Sequence, residues 1–310
     1  MKKQNNVIAI IGPTATGKSD LAIELAKGFN TEIISADSRL VYKDFDIGTA
    51  KPTKEELALV RHHCVDIASP IDDFSVSDFK TVANDAFAQL FKQNKPAIIA
   101  GGTGFYVKSL LEGLNIPTVE ADEDFRKIMR DIAQERGNEY LFNLLKLKDP
   151  QLAQKLHPND IFRVIRALEV IEKLGQPMSE LQTKSSPDFN VIYIFLDAQE
   201  RSYLYERINK RVDIMFEMGL LDEVKNLIVK YGKTVSLLKT LGYKEVCGYL
   251  DNEFSFEEMS ELIKKNTRNF AKRQLTWFRA IENTNKFYID ELEKKEIVKK
   301  VSEKCLSMML

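Results

Sequence analysis

The sequence predicts an α/β fold, a doubly wound parallel sheet that is interrupted by a helical insertion. Residues 7–11 (VIAII), 96–100 (PAIIA) and 191–196 (VIYIFL) are short apolar runs rich in β-branched side chains, the pattern of strands buried on both faces of a parallel sheet. Helical segments alternate with these runs, which is typical of α/β folds. A third observation is that residues 122–174 carry helical patterning alone, which indicates the insertion.

The N-terminal part of the chain supplies most of the strand–helix alternation. Because ligands of doubly wound sheets bind at the carboxyl ends of the strands, we expect the functional site in the loops that follow them. In order, the predicted elements are a strand at residues 7–11, a glycine-rich loop, a helix at 19–27 that Gly28 ends, a strand at 32–35, a helix at 78–93 and a strand at 96–100.

The pattern changes after Gly113, where short, charged helical segments begin. A strand returns at residues 191–196, and further helices are predicted at residues 199–230 and 291–310. We therefore predict a discontinuous α/β catalytic core, residues 1–114 and 190–310, and a helical insertion domain, residues 115–189.

Composition and net charge limit the kinds of protein that this chain can be. The 310 residues are 44% hydrophobic and 29% charged, as in soluble globular proteins, and the net charge is −1. Binding to nucleic acid would therefore need a local basic patch.

Cys64, Cys247 and Cys305 are far apart, which excludes a disulfide framework and a paired-cysteine metal site. The apolar run at residues 7–11 is too short for a signal peptide or a membrane span, so we expect a cytoplasmic protein without membrane contact. We also expect a monomer.

The segment after the first strand, GPTATGKS, fits the pattern G-x-x-x-x-G-K-[ST] of a phosphate-binding loop. Its glycines let backbone N–H groups surround an anion, its lysine adds a positive charge, and its last hydroxyl can bind Mg²⁺. We therefore predict a P-loop NTPase-like fold. The loop alone fits ATP-binding hydrolases, small kinases and diphosphate-releasing transferases. The predicted phosphate-binding residues are Gly12, Pro13, Thr14, Ala15, Thr16, Gly17, Lys18 and Ser19.

Two other loops follow predicted strands. No carboxylate follows the strand at residues 96–100, where an ATP hydrolase carries its Walker-B acid. The GGTG turn found there allows another chain segment or a ligand to approach closely, or it is a tight strand-to-helix turn; Thr103 places a hydroxyl in it. Asp37 follows the second strand, where a carboxylate can act as a general base, a metal ligand or a helix cap.

A series of motifs runs in order along nearly the whole chain. After the phosphate loop come SADS (35–38), DIGTAKP (46–52), GGTGFY (101–106), HPND (157–160), RVIRALEV (163–170), GYKE (242–245) and TRNFAKRQLTWFR (267–279). The phosphate loop is shared by many families, but this combination is specific. It resembles the tRNA dimethylallyltransferases (tRNA isopentenyltransferases, the IPP transferase family).

The resemblance implies transfer of a dimethylallyl group from dimethylallyl diphosphate to N6 of the adenosine 3′-adjacent to the anticodon, in tRNAs that read codons beginning with U. The phosphate loop would hold the diphosphate, with Mg²⁺ on Ser19 as cofactor. Lys18 and Arg211 would neutralise the leaving diphosphate, and Arg207 and Lys210 are alternatives to Arg211. No water has to be activated, which agrees with the missing Walker-B acid.

The resemblance also implies roles for the other two loops. An exocyclic adenine amine is a weak nucleophile that loses its proton as the C–N bond forms. A positioned carboxylate is the expected aid, and the resemblance assigns that role to Asp37. Thr103 would lie beside the amine or the leaving oxygen. The target adenosine would be pulled out of its stack to reach the crevice.

Two basic helical runs are candidates for contact with the anticodon stem-loop of tRNA. Arg163 and Arg166 are three residues apart on a helix that Asp160 can cap, and Lys264 begins a second run that reaches Arg279. Such runs are otherwise solvated helix faces. The residues for which the resemblance implies tRNA contact are Asp37, Ser38, Arg39, Leu40, Thr103, Arg126, Asp160, Arg163, Arg166, Arg268, Lys272 and Arg273.

The chain departs from the family pattern at a few positions. Arg39 and Leu40 stand where family members commonly carry Met-Gln, so the usual glutamine contact to the target nucleotide is missing. Phe105 replaces a more usual leucine, and no Cys/His cluster follows residue 280, where eukaryotic members carry a zinc finger. The run at residues 62–64 (HHC) lacks metal-ligand spacing, and we interpret it as structural.

The residues alone leave two other functions open. One is a small-molecule kinase using ATP, in which Asp37 activates a hydroxyl and the insertion is a lid; the two basic helical runs argue against it. The other is a non-catalytic RNA-binding protein with a relic nucleotide site. The intact Lys18, Ser19 and Asp37 argue against that. Whether ATP competes for the phosphate loop stays open.

Overall fold

A six-stranded sheet forms the centre of the fold in the computed structural model, which describes residues 5–309. All neighbouring strands are parallel, in the order β3-β2-β4-β1-β5-β6. The predicted fold class, an α/β P-loop NTPase-like doubly wound parallel sheet, is confirmed. The strands are β1 (Asn6–Ile11), β2 (Ile33–Ser35), β3 (His62–His63), β4 (Ala97–Gly101), β5 (Asn190–Asp197) and β6 (Asn285–Tyr288).

Helices make up most of the rest of the described chain. They are α1 (Lys18–Phe29), α2 (Lys54–Leu59), α3 (Val76–Lys92), α4 (Gly104–Leu111), α5 (Glu123–Arg136), α6 (Asn138–Lys148), α7 (Pro150–Ala153), α8 (Ile161–Leu174), α9 (Met178–Leu181), α10 (Arg201–Glu217), α11 (Leu220–Tyr231), α12 (Tyr243–Leu250), α13 (Phe256–Arg279) and α14 (Lys294–Met309), with a 3₁₀ turn at Ser236–Lys239. No helix within residues 5–309 is long and apolar enough to cross a membrane.

The central strand β1 is buried because both faces of the sheet are covered. On one face Ile8 and Ile10 pack in a cluster that includes Leu25 of α1 and Val301 of α14. On the other face Phe195 of β5 lies 6.3 Å, between ring centroids, from Phe278 of α13. Alternate side chains of a strand point to opposite faces, so a strand covered on both sides must be apolar throughout. This explains the continuous apolar run that predicted β1.

The chain divides into two compact units, Met1–Leu110 with Asp188–Leu310, and Leu111–Pro187. The first contains the sheet. The second is helical and has its own core, in which Leu141 and Leu145 of α6 pack with Val164 and Leu168 of α8. The insertion predicted at residues 115–189 differs from this unit by a few residues at each end.

Some element boundaries differ from those that the sequence predicts. Helix α1 continues through Gly28 and is capped by Asn30, whose φ of 49° lies in the left-handed region. The single helix predicted at residues 199–230 is two helices, because Gly219 adopts a φ of 99° between α10 and α11. The edge strands β3 and β6 were not predicted, since two and four residues carry too little pattern. The last predicted helix extended to residue 310, which lies outside the described residues.

Candidate active site

The phosphate loop connects β1 to α1 and depends on two glycines. Gly12 has a φ of 148°, and a Cβ there would lie 2.3 Å from the carbonyl oxygen of Leu196. Gly17 has a φ of 85° and directly precedes α1. The Thr16 hydroxyl donates a hydrogen bond to the Pro13 carbonyl at 2.9 Å, which closes the loop on itself. The loop leads directly into the N-terminus of the twelve-residue helix α1, which is the arrangement that an anion site requires.

Lys18 lies across the loop, and its ammonium group donates to the Pro13 carbonyl at 2.7 Å. Burial and, to a lesser extent, the nearby Arg211 lower the pKa of Lys18 from 10.5 to about 7, against the opposing effect of Asp37. Burial likewise lowers the pKa of Arg211, which Asp37 and Asp20 oppose. Two cations held together out of water destabilise each other. A ligand with several negative charges would relieve this repulsion.

The three candidate cations of α10 lie in different places. Arg211 lies close enough to Lys18 to lower the pKa of Lys18, which the nearby Asp37 raises. Arg207 Nε donates to the carbonyl oxygen of Ala15 at 2.8 Å, so Arg207 holds the phosphate-loop backbone. Lys210 is exposed. The structure thus brings Arg211 to the two predicted site residues, and its contact with a diphosphate stays a prediction.

The loop after β2 and the turn after β4 are joined by hydrogen bonds. The N–H of Thr103 donates to the Ala36 carbonyl at 3.1 Å, and the N–H of Ser38 donates to Thr103 Oγ1 at 3.0 Å. Asp37 Oδ1 accepts a hydrogen bond from the N–H of Arg39 at 2.9 Å. One carboxylate oxygen of Asp37 therefore stabilises its own turn, which leaves the other oxygen for chemistry.

The glycines of the turn after β4 are required by close packing of the chain itself. A Cβ at Gly101 would lie 2.1 Å from the Ala36 carbonyl oxygen, and one at Gly104 would lie 3.0 Å from the Trp277 side chain. Helix α4 also begins at Gly104, so the turn is tight. Both structural explanations of the GGTG sequence, a neighbouring chain segment and a tight turn, apply here.

Gln274 of α13 is a site residue that the sequence analysis missed. Its side-chain oxygen accepts from the N–H of Thr14 at 2.8 Å, and its side-chain nitrogen donates to the carbonyl of Gly102 at 3.0 Å. Only 4% of Gln274 is exposed. A signal existed, because Gln274 lies at helical spacing with Ala271, Leu275 and Phe278, the buried residues of this part of α13. A polar residue on an apolar face needs a polar partner.

The basic run of α13 is partly engaged within the protein. Arg268 donates to the side-chain oxygen of Asn209 at 2.7 Å, and Lys264 pairs with Asp213 at 2.8 Å. Lys272 and Arg273 are exposed and lie over the rings of Tyr205 and Phe270, respectively. Contact of Arg268, Lys272 and Arg273 with tRNA stays a prediction, for which Lys272 and Arg273 are the more accessible cations.

In the second unit, two of the predicted tRNA-contacting arginines hold a buried carboxylate. Glu169 of α8 is fully buried and accepts hydrogen bonds from Arg126 Nε at 2.9 Å and from Arg166 Nη1 at 2.5 Å. Arg163 lies on the same helix, is 61% exposed and pairs with Asp160, which caps α8 as predicted. The structure thus gives Arg126 and Arg166 a structural role, and their contact with tRNA stays a prediction.

Two further predicted residues differ in accessibility. Leu40, at the position where the resemblance implies a nucleotide contact, is buried with 9% exposure, whereas Arg39 is exposed. Ser19 is exposed at the N-terminus of α1. Within residues 5–309 no group of three His, Cys, Asp or Glu side chains could hold a metal ion. A hydroxyl such as Ser19, completed by phosphate oxygens and water, is a fitting donor set for Mg²⁺.

The DIGTAKP motif is organised by a carboxylate that the sequence analysis also missed. Glu223 of α11 accepts hydrogen bonds from the N–H groups of Ile47 at 2.7 Å and Gly48 at 3.1 Å, and from the Tyr243 hydroxyl at 2.7 Å. A Cβ at Gly48 would lie 2.5 Å from the Tyr243 ring. These contacts join the DIGTAKP and GYKE motifs, so both motifs have a role in packing the two segments together.

A cavity of about 560 Å³ adjoins the phosphate loop. Its lining includes Thr16 and Gly17 of the loop, Tyr203 of α10, and residues that follow β6. Asp37 and Thr103 are not part of that lining. The cavity therefore lies on the β5 and β6 side of the loop, whereas the predicted acceptor residues follow β2 and β4 on the other side.

Comparison with known proteins gives consistent matches over nearly the whole chain. The family model described as IPP transferase matches residues 40–281. The chain is 44% identical over 299 residues, 95% of each sequence, to the tRNA dimethylallyltransferase of Thermoanaerobacter sp. (strain X514). It is 46% identical over 296 residues, 94% of each sequence, to the tRNA dimethylallyltransferase of Acetivibrio thermocellus.

Solved structures agree with these matches. The tRNA isopentenylpyrophosphate transferase of Bacillus halodurans superposes with a TM-score of 0.73 at 38% identity, over 99% of this chain and 97% of the other. A eukaryotic dimethylallyltransferase described as acting on tRNA superposes with a TM-score of 0.78 at 28% identity, over 98% of this chain and 80% of the other.

Proposed function

The chain belongs to the IPP transferase family, and from this premise we propose that it is a tRNA dimethylallyltransferase. The donor is dimethylallyl diphosphate, the acceptor is N6 of the adenosine 3′-adjacent to the anticodon, and the products are the prenylated tRNA and diphosphate. One observation carries the proposal. The carboxylate Asp37 lies close enough to two partly buried cations, Lys18 and Arg211, for its charge to oppose the lowering of the pKa of each.

The cations and the phosphate loop act on the leaving group. As the bond between the allylic carbon and the diphosphate oxygen breaks, its electron pair stays with the diphosphate. Negative charge therefore grows beside Lys18, Arg211 and the N–H groups at the start of α1. Groups already held in place for that charge stabilise the transition state more than water does. Arg207 supports them by holding the Ala15 carbonyl.

Asp37 and Thr103 act on the acceptor. The N6 lone pair forms the new bond to the allylic carbon, and the N6 proton passes to the Asp37 oxygen that the Arg39 N–H does not occupy. The Thr103 oxygen accepts from the Ser38 N–H, and its hydroxyl donates a long hydrogen bond, 3.4 Å, to the Ser38 hydroxyl, which it can exchange for one to the adenine or to a phosphate oxygen. The Ser38–Thr103 bond keeps the two groups together.

The RNA substrate follows from the relatives, which are named for tRNA. We propose that exposed cations, among them Arg163, Lys272 and Arg273, contact phosphates of the anticodon stem-loop, since phosphate contacts position an RNA without reading its sequence. The tRNAs are those that read codons beginning with U. Leu40 is buried, so the exposed Arg39 is the side chain of that pair that can reach the nucleotide.

Mg²⁺ is the proposed cofactor, held by the Ser19 hydroxyl together with diphosphate oxygens. When bound, it would supply further positive charge to the leaving group. We also propose that the protein acts in the cytoplasm as a monomer. ATP shares the phosphate chemistry of the donor, so it is expected to compete for the phosphate loop.

The test follows a radioactive label from dimethylallyl diphosphate into an unmodified anticodon stem-loop. We expect label at the adenosine 3′-adjacent to the anticodon, and no transfer of phosphate from labelled ATP. Asp37→Asn keeps an oxygen for the Arg39 N–H but accepts no proton, and should slow transfer by about 10²- to 10⁴-fold. Asp72→Asn, at an exposed aspartate, is the control. Absence of label in the RNA, or an Asp37→Asn rate equal to that of the control, contradicts the proposal.

A further inference from the structure

We propose that Gln274 is a positioning residue, which sets the distance between the donor-holding and acceptor-holding parts of the site. This inference rests on the proposed function and goes beyond it. The donor-holding part is the phosphate loop, residues 12–19. The acceptor-holding part is formed by residues 36–38 and 101–103, which their own hydrogen bonds join into one piece.

The evidence is one buried amide with two partners. Gln274 accepts from the N–H of Thr14, in the phosphate loop, and donates to the carbonyl of Gly102, directly before Thr103. The two bonds span 260 and 172 residues of sequence. Both have ordinary donor–acceptor distances, 2.8 and 3.0 Å, and Gln274 is almost fully buried, so water does not compete for them.

The chemistry of the position selects an amide. One end must accept from an N–H group and the other must donate to a carbonyl, which neither a carboxylate nor an ammonium group can do at once. The fit is also tight, because a Cβ at Gly102 would lie 2.2 Å from the Gln274 side-chain nitrogen. Gln274 and Gly102 are therefore a matched pair.

Positioning matters here because the reaction joins two bound substrates. The amine nitrogen and the allylic carbon must approach within about 3.5 Å with the correct alignment, and a shift of about 1 Å can cost about 10²-fold in rate. The phosphate loop fixes the carbon through the diphosphate, and Asp37 with Thr103 fixes the amine. Gln274 is a side chain that bonds to both parts, so its amide controls their separation without touching either substrate.

The first test separates positioning from binding and from stability. Gln274→Met keeps the length and apolar volume but makes neither hydrogen bond, and Gln274→Glu keeps only the acceptor. Thr276→Ala, at an exposed hydroxyl two residues further along α13, is the control. Trp277 is the single tryptophan and packs against Gly104, so its fluorescence can report dissociation constants for dimethylallyl diphosphate and for the stem-loop.

For Gln274→Met we expect both dissociation constants to stay within about threefold of the unaltered protein, while the single-turnover transfer rate falls about 10²-fold. Gln274→Glu keeps the acceptor for the Thr14 N–H but sets a carboxylate oxygen against the Gly102 carbonyl, so its transfer rate should also fall well below that of the control. A rate within threefold of the control, or a rate loss that weaker binding of one substrate fully explains, overturns the inference.

The second test uses the matched pair. Gly102→Ala alone should be strongly impaired, because its Cβ meets the Gln274 nitrogen. Gly102→Ala combined with Gln274→Ser should be no slower than Gln274→Ser alone, since the shorter side chain removes the collision. Additive rate losses would show that the two positions act separately, and would overturn the inference.

A third measurement does not need activity. The side-chain amide signal of Gln274, assigned by its absence in Gln274→Glu, should exchange slowly with water and shift when inorganic diphosphate is added. Rapid exchange and no shift overturn the inference even in an active protein. If the unaltered protein transfers no label while this signal behaves as expected, the proposed reaction fails and the link between the loops stands.

Discussion

Thr103 Oγ1 accepts a hydrogen bond from the backbone N–H of Ser38, with a donor–acceptor distance of 3.0 Å. The bond joins the loop after β2 to the turn after β4, one residue away from Asp37. Both ends are partly buried, so the Ser38 N–H has little water to replace a lost partner. The stability of the acceptor-holding part and its activity should therefore depend on the same hydroxyl.

Thr103→Val, which has the same shape without an acceptor, should lower the free energy of unfolding by about 1–3 kcal/mol and slow dimethylallyl transfer at least tenfold. Thr103→Ser keeps the oxygen and should retain most of both. Urea unfolding and single-turnover assays measure the two effects. Equal activities of the valine and serine variants would show that the hydroxyl has no part in the reaction.

Lys18 should make diphosphate binding depend on pH. Its pKa is lowered to about 7 in the free protein by burial and by Arg211, and a bound diphosphate would raise it again. Binding at pH 8 should therefore take up protons, and affinity should weaken as the pH rises above 7. Calorimetry with inorganic diphosphate in two buffers of different ionisation enthalpy measures the uptake. Identical heats in the two buffers would contradict this prediction.

The same pKa also predicts a stability effect. Between pH 7 and 10.5 the unfolded chain binds more protons at Lys18 than the folded chain does, so stability should rise with pH across this window. Below pH 7 the buried charge is fully destabilising. Lys18→Met should raise the melting temperature of the ligand-free protein at pH 6 to 7 and lose diphosphate binding. An unchanged or lower melting temperature would argue against a buried charge at this position.

Glu169 should stabilise the second unit. Burial raises its pKa, but hydrogen bonds from Arg126, from the Asp122 N–H and from Arg166 outweigh burial, and the pKa lies below its usual value. Its contribution should therefore be present above about pH 4.5 and be lost as the pH falls through the lower folded pKa. Glu169→Gln should cost about 3 kcal/mol, since it leaves two arginines without their carboxylate.

Hydrogen exchange in α5, α6 and α8 measures this loss, because these helices form the core of the second unit. Glu172→Gln, at an exposed glutamate of α8, is the matched control and should change little. Equal protection in the two variants would contradict the structural role of Glu169.

Tyr243 should stabilise the loop of the DIGTAKP motif through Glu223. Burial and the Glu223 carboxylate raise the pKa of Tyr243, so its hydroxyl remains a donor at physiological pH. Tyr243→Phe should lower the free energy of unfolding by about 1.5–3 kcal/mol, the range for a hydrogen bond to a charged group. Tyr231→Phe removes a hydroxyl from the exposed carboxylate of Asp44 and should cost less. Chemical denaturation measures the free energy of unfolding of both variants. Equal decreases would contradict the prediction that the buried hydroxyl contributes more than the exposed one.

The fold and part of the site were predictable because their signals are local. The apolar run of β1 reflects burial on both faces, and the glycines of the phosphate loop occupy backbone conformations that favour glycine. The closeness of the Asp37 and Thr103 loops was predictable because parallel strands end at one edge of the sheet, whereas the roles of the two residues stay predictions. The end of α1 was not, since Gly28 tolerates a helical conformation and Asn30 provides the left-handed cap instead.

Tertiary contacts determine what each side chain meets. Gln274 lies 260 residues from Thr14, Glu169 lies 43 residues from Arg126, and Glu223 lies 176 residues from Ile47, so no spacing along the chain reveals these pairs. The pKa of Lys18 likewise depends on Arg211, which another helix brings to the phosphate loop. Sequence patterns specify the conformation and the apolar face of a segment. The partners of a buried polar group are specified only when the segments pack, because charge and hydrogen bonding act through space rather than along the chain.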